Sequence, residues 1–506
     1  MRLHAAAVLV AASVAGCVTT ESAPEARPHV VLILADDLGW TDLSTGRTNG
    51  GHGSPYHRTP NLDRLAGAGT CFTDAYSNGP NCAPSRAALW SGRWAARTGV
   101  YTVAGGNRGK AEFRKLDAAE NRTVLSGDEV TLAEVLQAAG YATAHFGKWH
   151  LGDQEDGESP TDQGFDHQVG GDRRGGVGKL GHFADEAGAL PIPGMVANGR
   201  GGQFVADRLT DEAVRWLSGL DGAPAFCCVS HYSVHTPIQA PVADFEATPD
   251  APQGSRHRNR RYAAMLKNLD DNVGRIVAYL EAADDPLRPG HKMIENTLIA
   301  FSSDNGGLGG YQEAGVEGGG GVTNQLPLRS GKGSLHEGGV RVPLIVRWDD
   351  RVAPGGVDAT PTQLFDLYPT LAALGGAAMP AGHEVDGVDL SARLQSRSAD
   401  AVVAARPLFW HFPGYLEASR RKGTWRTTPV SVVREGDLKA MFWYETRTWA
   451  LYDLAADLNE SRDLAQERPE DLRRLAATLC EWLQRTGAPT PSERDGGPVP
   501  LPSVPE

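Results

Sequence analysis

The sequence predicts an α/β protein. Its core is a large mixed, mostly parallel sheet sandwiched by helices, followed by a smaller α+β domain with antiparallel sheet. Three observations predict this. Short, wholly apolar runs such as VVLILA (30–35) alternate with amphipathic stretches, and a run apolar at every position reads as a strand buried on both faces. The chain has 506 residues, too many for one ordinary domain and ample for a large domain plus a small one. After about Gly376 the texture changes: MPAGHEVDG (379–387) reads as a boundary loop, and shorter strand candidates lie beyond it.

In chain order, residues Val30–Ala35, Ala142–Phe146, Ala225–Val229, Thr297–Phe301 and Leu344–Val346 read as buried strands. Leu132–Ala138 and Tyr262–Ala282 carry helical periodicity. Beyond the boundary, Val430–Val433 reads as a strand and Glu470–Arg485 as a final helix. The organisation expected is a signal peptide over 1–17, a tether over 18–28, a large domain over 29–376, a C-terminal subdomain over 377–487 and a loose Pro-rich tail over 488–506.

The first residues, MRLHAAAVLVAASVAGC, hold one arginine, an apolar stretch and then small residues. That is an export signal, too short to span a membrane as a helix. Val14-Ala15-Gly16-Cys17 also resembles a bacterial lipobox, which makes Cys17 the candidate lipidation site. The expected location is therefore outside the cytoplasm, in a bacterial periplasm or on the cell surface, with a lipid anchor in the outer membrane as the only membrane contact. A formal net charge of -13 argues against a nucleic-acid partner. The six cysteines show neither a disulfide framework nor a C-x-x-C zinc pattern.

The residues just past the strands carry the chemistry. VVLILA runs into Asp36-Asp37, TLIAFSS into Asp304-Asn305-Gly306-Gly307, ATAHFG into Lys148-Trp149-His150, and CCVSHYSV into His235. Ligands of open α/β sheets bind beyond the carboxyl ends of strands, so neighbouring strands would pool these residues in one pocket. Asp36, Asp37, Asp304 and Asn305 offer three carboxylates and an amide oxygen, a donor set for Ca²⁺ and less so Mg²⁺. Taken singly, Asp36-Asp37 also reads as a helix cap and Asp304–Gly307 as a turn. Cys82, in NCAPSR, stands where Pro84 suits the first turn of a helix. A helix N-terminus favours anions, and Arg86 one turn on adds a fixed cation. A buried cysteine is more often a small hydrophobe, so the helix start alone leaves both readings open.

Cys82-Ala83-Pro84-Ser85-Arg86, with Leu89 and Ser91-Gly92-Arg93, resembles the type I sulfatase signature. So do PNLDRL (60–65), GKWHLG (147–152), GFD (164–166), SDNGG (303–307), LRSGKGS (328–334) and EGGVRVP (337–343). The ordered set runs from about Pro28 to Ala465 and is far more specific than its first member. The resemblance implies the alkaline phosphatase superfamily fold. It implies that Cys82 is oxidised to formylglycine (3-oxoalanine), which also ligates the metal, and that a formylglycine-generating or anaerobic sulfatase-maturating enzyme is a partner. It implies Ca²⁺ on Asp36, Asp37, Asp304 and Asn305, with Arg86, Lys148, His150, His235 and Lys332 as catalytic residues. The implied activity is hydrolysis of a sulfated carbohydrate or aryl sulfate, with a sulfated oligosaccharide or polysaccharide as substrate. The C-terminal stretches Trp410–Tyr415 and Trp425–Pro429 resemble bacterial enzymes of that type; Gly414 stands where relatives often carry histidine.

Two other readings compete. One is a phosphonate or phosphate ester hydrolase of the same superfamily. The other is a non-catalytic glycan-binding surface lipoprotein. Several features weigh less. Gly175–Leu180 lacks the residues of a phosphate loop, and Gly318–Gly321 reads as slack. RHRNRR (256–261) reads as a solvated basic face that could meet an anionic polymer. The sequon at Asn121 has no expected use, and Trp40, His57, His182 and His411 are candidates for lining a sugar pocket or for packing.

Overall fold

A computed structural model describes residues 26–505 except 179–180, 187–189, 191, 193–194, 196–200, 311–321, 397–400 and 420. The signal segment with Cys17, and the glycine run at 318–321, lie outside the described residues.

Eight strands form the main sheet: β1 (His29–Ala35), β2 (Thr70–Phe72), β3 (Ala142–Gly147), β4 (His167–Val169), β5 (Ala225–Ser230), β6 (Thr297–Ser303), β7 (Leu344–Arg347) and β8 (Gly356–Asp358). Their order is β8-β2-β7-β6-β1-β5-β3-β4. Only β7 opposes its neighbours, pairing antiparallel with both β6 and β2. The five strands expected from sequence are present. The ones missed, β2, β4 and β8, span three residues each, too short to show a period.

The helices that flank the sheet are α1 (Pro60–Ala68), α2 (Cys82–Ser91), α3 (Leu132–Ala138), α4 (Val205–Ser218), α5 (Val242–Ala247), α6 (Arg260–Ala282) and α7 (Leu367–Leu374). The parity of β1 separates two cores. Val31, Ile33 and Ala35 pack with Leu62, Leu209 and Leu269 of α1, α4 and α6. Val30, Leu32 and Leu34 pack with Trp90, Leu136 and Leu371 of α2, α3 and α7. Successive side chains of a strand face opposite ways, so an all-apolar strand requires cover on both sides. Burying each Val, Leu or Ile of β1 contributes about 1.5–3 kcal/mol.

Local rules set the helix starts. Thr131 caps α3 in a capping box: its Oγ1 accepts from Glu134 N at 3.2 Å, and Glu134 Oε2 accepts from Thr131 N at 2.7 Å. Thr59 makes no side-chain cap on α1. Asp270 of α6 fills that role from across the core, accepting from Leu62 N at 2.8 Å and Asn61 N at 3.1 Å.

The C-terminal part is a four-stranded antiparallel sheet of β9 (Leu408–Phe412), β10 (Val430–Glu435), β11 (Leu438–Trp443) and β12 (Thr448–Asp453), in that order, with helix α8 (Pro469–Thr486). Phe409, Val433 and Leu451 meet Leu475, Leu479 and Trp482 of α8. Trp410, Val432 and Met441 on the other face pack on Tyr76, Leu335 and Val340 of the large sheet's surroundings. The loose tail expected after Gly487 is not what forms. Ser492 and Glu493 pair with Asp117 and Leu116, and Val499 is buried among Leu116, Tyr415, Phe442 and Tyr444. The apolar side chains scattered among the prolines explain the difference.

A buried charge network joins the two parts. Lys439 of β11, fully buried, lies 2.9 Å from Glu337 Oε1 and 2.9 Å from Glu460 Oε1. Tyr76 donates to Glu337 Oε2 at 2.7 Å, Arg341 lies 3.3 Å from the same atom, and Arg434 donates to Asp74 at 2.5 Å. Burial pushes the Glu460 carboxyl up, but Lys439 and His336 outweigh it and hold it down at about 2.

Removing the cation of such a network strands buried carboxylates and costs about 3–5 kcal/mol. Lys439→Met is expected to lose that much stability at pH 7 in urea unfolding. The pH dependence has a fixed sign. A carboxyl depressed in the folded state contributes stability above its unfolded value of 4.5, and that stability is lost as pH falls toward about 2. Wild-type stability is therefore expected to drop between pH 4.5 and 2, with a flatter drop in Lys439→Met.

Candidate active site

The strands that end in the singled-out residues are neighbours: β6, β1, β5 and β3 lie side by side. Their register brings the ends level, with Ala35 opposite Ser303, and Ser230 opposite both Leu34 and Gly147. The next residues of each strand therefore emerge in one place. Asp36, Asp37, Lys148, Asp304 and Asn305 are all buried there, with exposures of 1% or less.

The charges pair as they emerge. Lys148 Nζ lies 2.7 Å from Asp36 Oδ2 and 3.8 Å from Asp304 Oδ2. Lys332 Nζ lies 2.6 Å from Asp37 Oδ1. Arg86 reaches Asp304 Oδ2 through Nε at 2.9 Å, and its Nη1 donates to the Lys148 carbonyl at 2.8 Å and to Ser230 Oγ at 2.5 Å. Three carboxylates thus face three cations. Burial pushes Asp36 up to about 7, Lys148 opposing. Burial also acts to raise Asp37 and Asp304, but Lys332 and His235 hold the first below the usual carboxylate range, and Arg86 and Lys148 the second.

Cys82 opens α2, as expected from Pro84, and every residue of that helix is buried. Its Sγ lies 3.3 Å from Lys332 Nζ and 3.6 Å from Asp36 Oδ1. Burial, with Asp304 adding to it, pushes the thiol up to about 12. The residue is thus protonated at neutral pH, and a thiol is a poor nucleophile. The helix N-terminus does not produce a thiolate.

The two histidines are partly buried beside it. His235 Nδ1 lies 2.8 Å from the Thr236 carbonyl, which places the proton on Nδ1 and leaves Nε2 facing Asp37 Oδ2 at 3.8 Å. Burial and Lys332 lower it to about 4. His150 sits in the left-handed region (φ 68°), its N–H donating to the Asp172 carbonyl at 2.8 Å. Burial and Lys148 push its ring well below the ordinary range, so it is neutral. A cavity of about 630 Å³ opens over Cys82, His150, His235 and Lys332, with Thr102, Asp156 and Arg173 at its mouth.

The residues present fit a hard dication. Asp37 Oδ2 and Asn305 Oδ1 are buried without a hydrogen-bond partner, and both belong to the oxygen set read from the sequence. Atoms of Asp36, Asp37, Cys82 and His235 lie within 4.8 Å of one another. Backbone packing holds the set. Gly306 N donates to Gly339 O at 3.0 Å, and a Cβ at Gly306 would overlap the Gly338 carbonyl. Lys332 N donates to Gly307 O at 2.9 Å. The SDNGG and EGG segments therefore dock backbone on backbone, which fixes Asn305 and Lys332 together.

Two contributors, Ser230 and Gly175, escaped the sequence, and a third, His182, was a sugar-pocket candidate. Ser230, the last residue of β5, binds Arg86; looking only past the strand end misses it. Gly175, discounted with its loop, lies against His150, where a Cβ would overlap the ring. His182 donates through Nε2 to the His235 carbonyl at 3.1 Å. Among the other sugar-pocket candidates, Trp40 Nε1 donates to Thr73 O at 3.0 Å and is buried. His57 stacks on His257 at 4.4 Å beside buried Asp42. His411 commits both ring nitrogens, to Ser431 Oγ (2.7 Å) and Pro489 O (2.8 Å). These three are packing residues.

Sheet, strand-end charges and C-terminal sheet together define a hydrolase of the alkaline phosphatase-like superfamily. Residues 28–377 match the sulfatase family model, and residues 331–487 match that of the N-sulphoglucosamine sulphohydrolase C-terminal region. The chain belongs to the sulfatase family. It is 34% identical to a sulfatase of Formosa agariphila, covering 92% of this chain and 90% of that one. It is 33% identical to human arylsulfatase A, covering 85% and 77%. The crystal structure of Ps i-CgsB in complex with k-i-k-neocarrahexaose aligns with a TM-score of 0.70 at 27% identity, covering 90% of this chain and 93% of that one. The protein is a sulfuric ester hydrolase of arylsulfatase or carbohydrate sulfatase type.

Gly175→Ala tests the loop over His150. Its φ is not positive, so the substitution adds bulk without backbone strain. It is expected to displace the ring and lower kcat by about tenfold or more, since a misplacement near 1 Å can cost about 10²-fold. The melting temperature is expected to stay within about 2 °C of wild type.

Proposed function

We propose that the protein removes sulfate from a sulfated carbohydrate, using formylglycine made from Cys82 and a bound Ca²⁺. The observation that carries this reading is the position of Cys82. It opens α2 where Lys332 and Asp36 converge, at 3.3 and 3.6 Å, beside the buried carboxylates Asp37 and Asp304. A cysteine placed at the focus of a buried set of carboxylates and cations stands where a converted residue 82 would meet both a donor and an acceptor. Hydrated formylglycine supplies two hydroxyls on one carbon, one for in-line attack on sulfur and one whose deprotonation expels sulfate and restores the aldehyde. Asp36, Asp37, Asp304, Asn305 and residue 82 would hold the dication, which supplies positive charge for the ester sulfate and for the attacking oxygen.

The chain's own groups do the rest. Lys148 and Lys332, both held protonated beside carboxylates, neutralise the charge that otherwise repels a nucleophile. Arg86 holds Asp304 and, through the Lys148 carbonyl, the turn that carries Lys148. His150, neutral and with a buried Nδ1 lacking a partner, is suited to take a proton at position 82. His235 and Lys332 line the cavity over residue 82; as the S–O bond breaks, protonated Lys332 gives the departing alcohol its proton, with neutral His235 beside it.

The carbohydrate reading is supported by Ps i-CgsB, a structural relative crystallised with a neocarrahexaose. The complete set of charged residues disfavours a non-catalytic lectin. Paired rates on sulfate and phosphonate esters separate the sulfatase reading from its phosphoesterase relative. Export and lipidation at Cys17 belong to the same proposal, and loss of lipid labelling in Cys17→Ala tests them.

Mass spectrometry of the tryptic peptide 65–86 from the native host is expected to show aldehyde in place of the Cys82 thiol. Cys82→Ser, left unconverted, is expected to fold but not to turn over. His235→Ala is expected to lose about 10²-fold or more on a sugar sulfate but much less on nitrophenyl sulfate, whose leaving group needs no proton. Equal losses on both would remove His235 from any part in leaving-group departure.

A further inference from the structure

Beside the catalytic mouth lies a second groove of about 440 Å³, lined by Phe183, Gln239, Val242, Phe245, Arg260 and Arg261, with Ala240 and Glu246 at its edge. Its floor is apolar: Phe183 and Phe245 are half-buried and Val242 is 71% exposed. The two arginines differ. Arg260 is committed to structure, lying over the Phe245 ring at 4.4 Å and bonding Thr248 O at 2.7 Å, Phe245 O at 3.1 Å and Asp250 Oδ1 at 3.1 Å. Arg261, exposed in the first turn of α6, has no hydrogen-bond or ion-pair partner among the described residues.

The groove lies a few residues along the chain from the active site. His182 ties a residue of the groove to one of the site, donating through its backbone N to Gln239 Oε1 at 2.7 Å and through Nε2 to the His235 carbonyl at 3.1 Å. Only four peptide units separate His235 from Gln239, so the groove begins within about 14 Å of the catalytic histidine. An apolar floor suits the C–H face of a sugar ring, an amide at the wall suits its hydroxyls, and an uncommitted guanidinium suits a sulfate.

We propose that this groove is a distal subsite holding a second sulfated sugar of the same glycan chain, with Arg261 on its sulfate and Phe183, Val242 and Phe245 beneath its ring. The proposal rests on the sulfated-carbohydrate reading above. It makes the enzyme one that recognises a chain rather than a single sugar.

The test compares converted wild type with Arg261→Ala and Val242→Asp on nitrophenyl sulfate and on di-, tetra- and hexasaccharides from carrageenan and chondroitin sulfate. Neither residue belongs to the catalytic machinery, and both side chains are exposed. The expected result is unchanged nitrophenyl sulfate hydrolysis, with KM on the hexasaccharide raised about tenfold, the loss of one charge-assisted contact, and a smaller effect on the disaccharide. If wild type desulfates these saccharides and both variants match it at every length, the subsite is overturned and the carbohydrate reading stands. If wild type hydrolyses nitrophenyl sulfate but neither binds nor desulfates any saccharide, the carbohydrate reading falls and the subsite with it. If the variants lose nitrophenyl sulfate activity equally, the effect is not a subsite effect and the proposal fails.

Discussion

Everything in the site depends on holding three carboxylates where strands β1 and β6 end, under almost no solvent. Moving a single such charge out of water costs several kcal/mol even after relaxation. Asp36, Asp37 and Asp304 are offset by Lys148, Lys332 and Arg86, each at 2.6–2.9 Å. The cations come from far along the chain. Arg86 rides on a helix buried all round, Lys148 succeeds β3, and Lys332 lies in a loop between β6 and β7. Forming the site therefore requires the large sheet to be complete, because no local stretch carries a balanced set.

The C-terminal sheet belongs to this balance although it supplies none of these six charges. Lys332 is five residues from Glu337, and Glu337 is gripped by Tyr76, Arg341 and Lys439. Its own N–H donates to Glu460 Oε2 at 2.7 Å, and Arg329 donates to the Glu460 carbonyl at 2.8 Å. The segment from 329 to 341 is thus anchored at several points to residues of the C-terminal part. The lysine next to Cys82 inherits its position from a network that a metal-centred view of the site would leave out.

Much of this was legible in the sequence, and the reason is periodicity. A strand buried on both faces is apolar at every position, so β1, β3, β5, β6 and β7 announce themselves, and so do the polar residues at their ends. Their adjacency was only conditional until the register placed Ala35, Ser303, Ser230 and Gly147 level. The parts that stayed hidden have no period. The Glu337–Lys439–Glu460 network joins residues up to 123 positions apart, through single charges that read as surface. Gly175 reads as slack because glycine's role there is negative: it is the side chain that must be missing for His150 to fit. The tail after Gly487 reads as loose because prolines mask the few apolar residues that dock it.

Burial also decides what position 82 can be. A thiol there is pushed to about 12, so ionising it would add a fourth buried anion to a site already balanced at zero. A residue bearing neutral hydroxyls adds none, because hydroxyls can be buried uncharged provided they find partners. Lys332 and Asp36 are within reach of Sγ, one a donor and one an acceptor, and so provide those partners in advance. The environment is hostile to the cysteine as a nucleophile and hospitable to its oxidised, hydrated product. The burial that demands paired charges thus supports the proposal that residue 82 is converted before it acts.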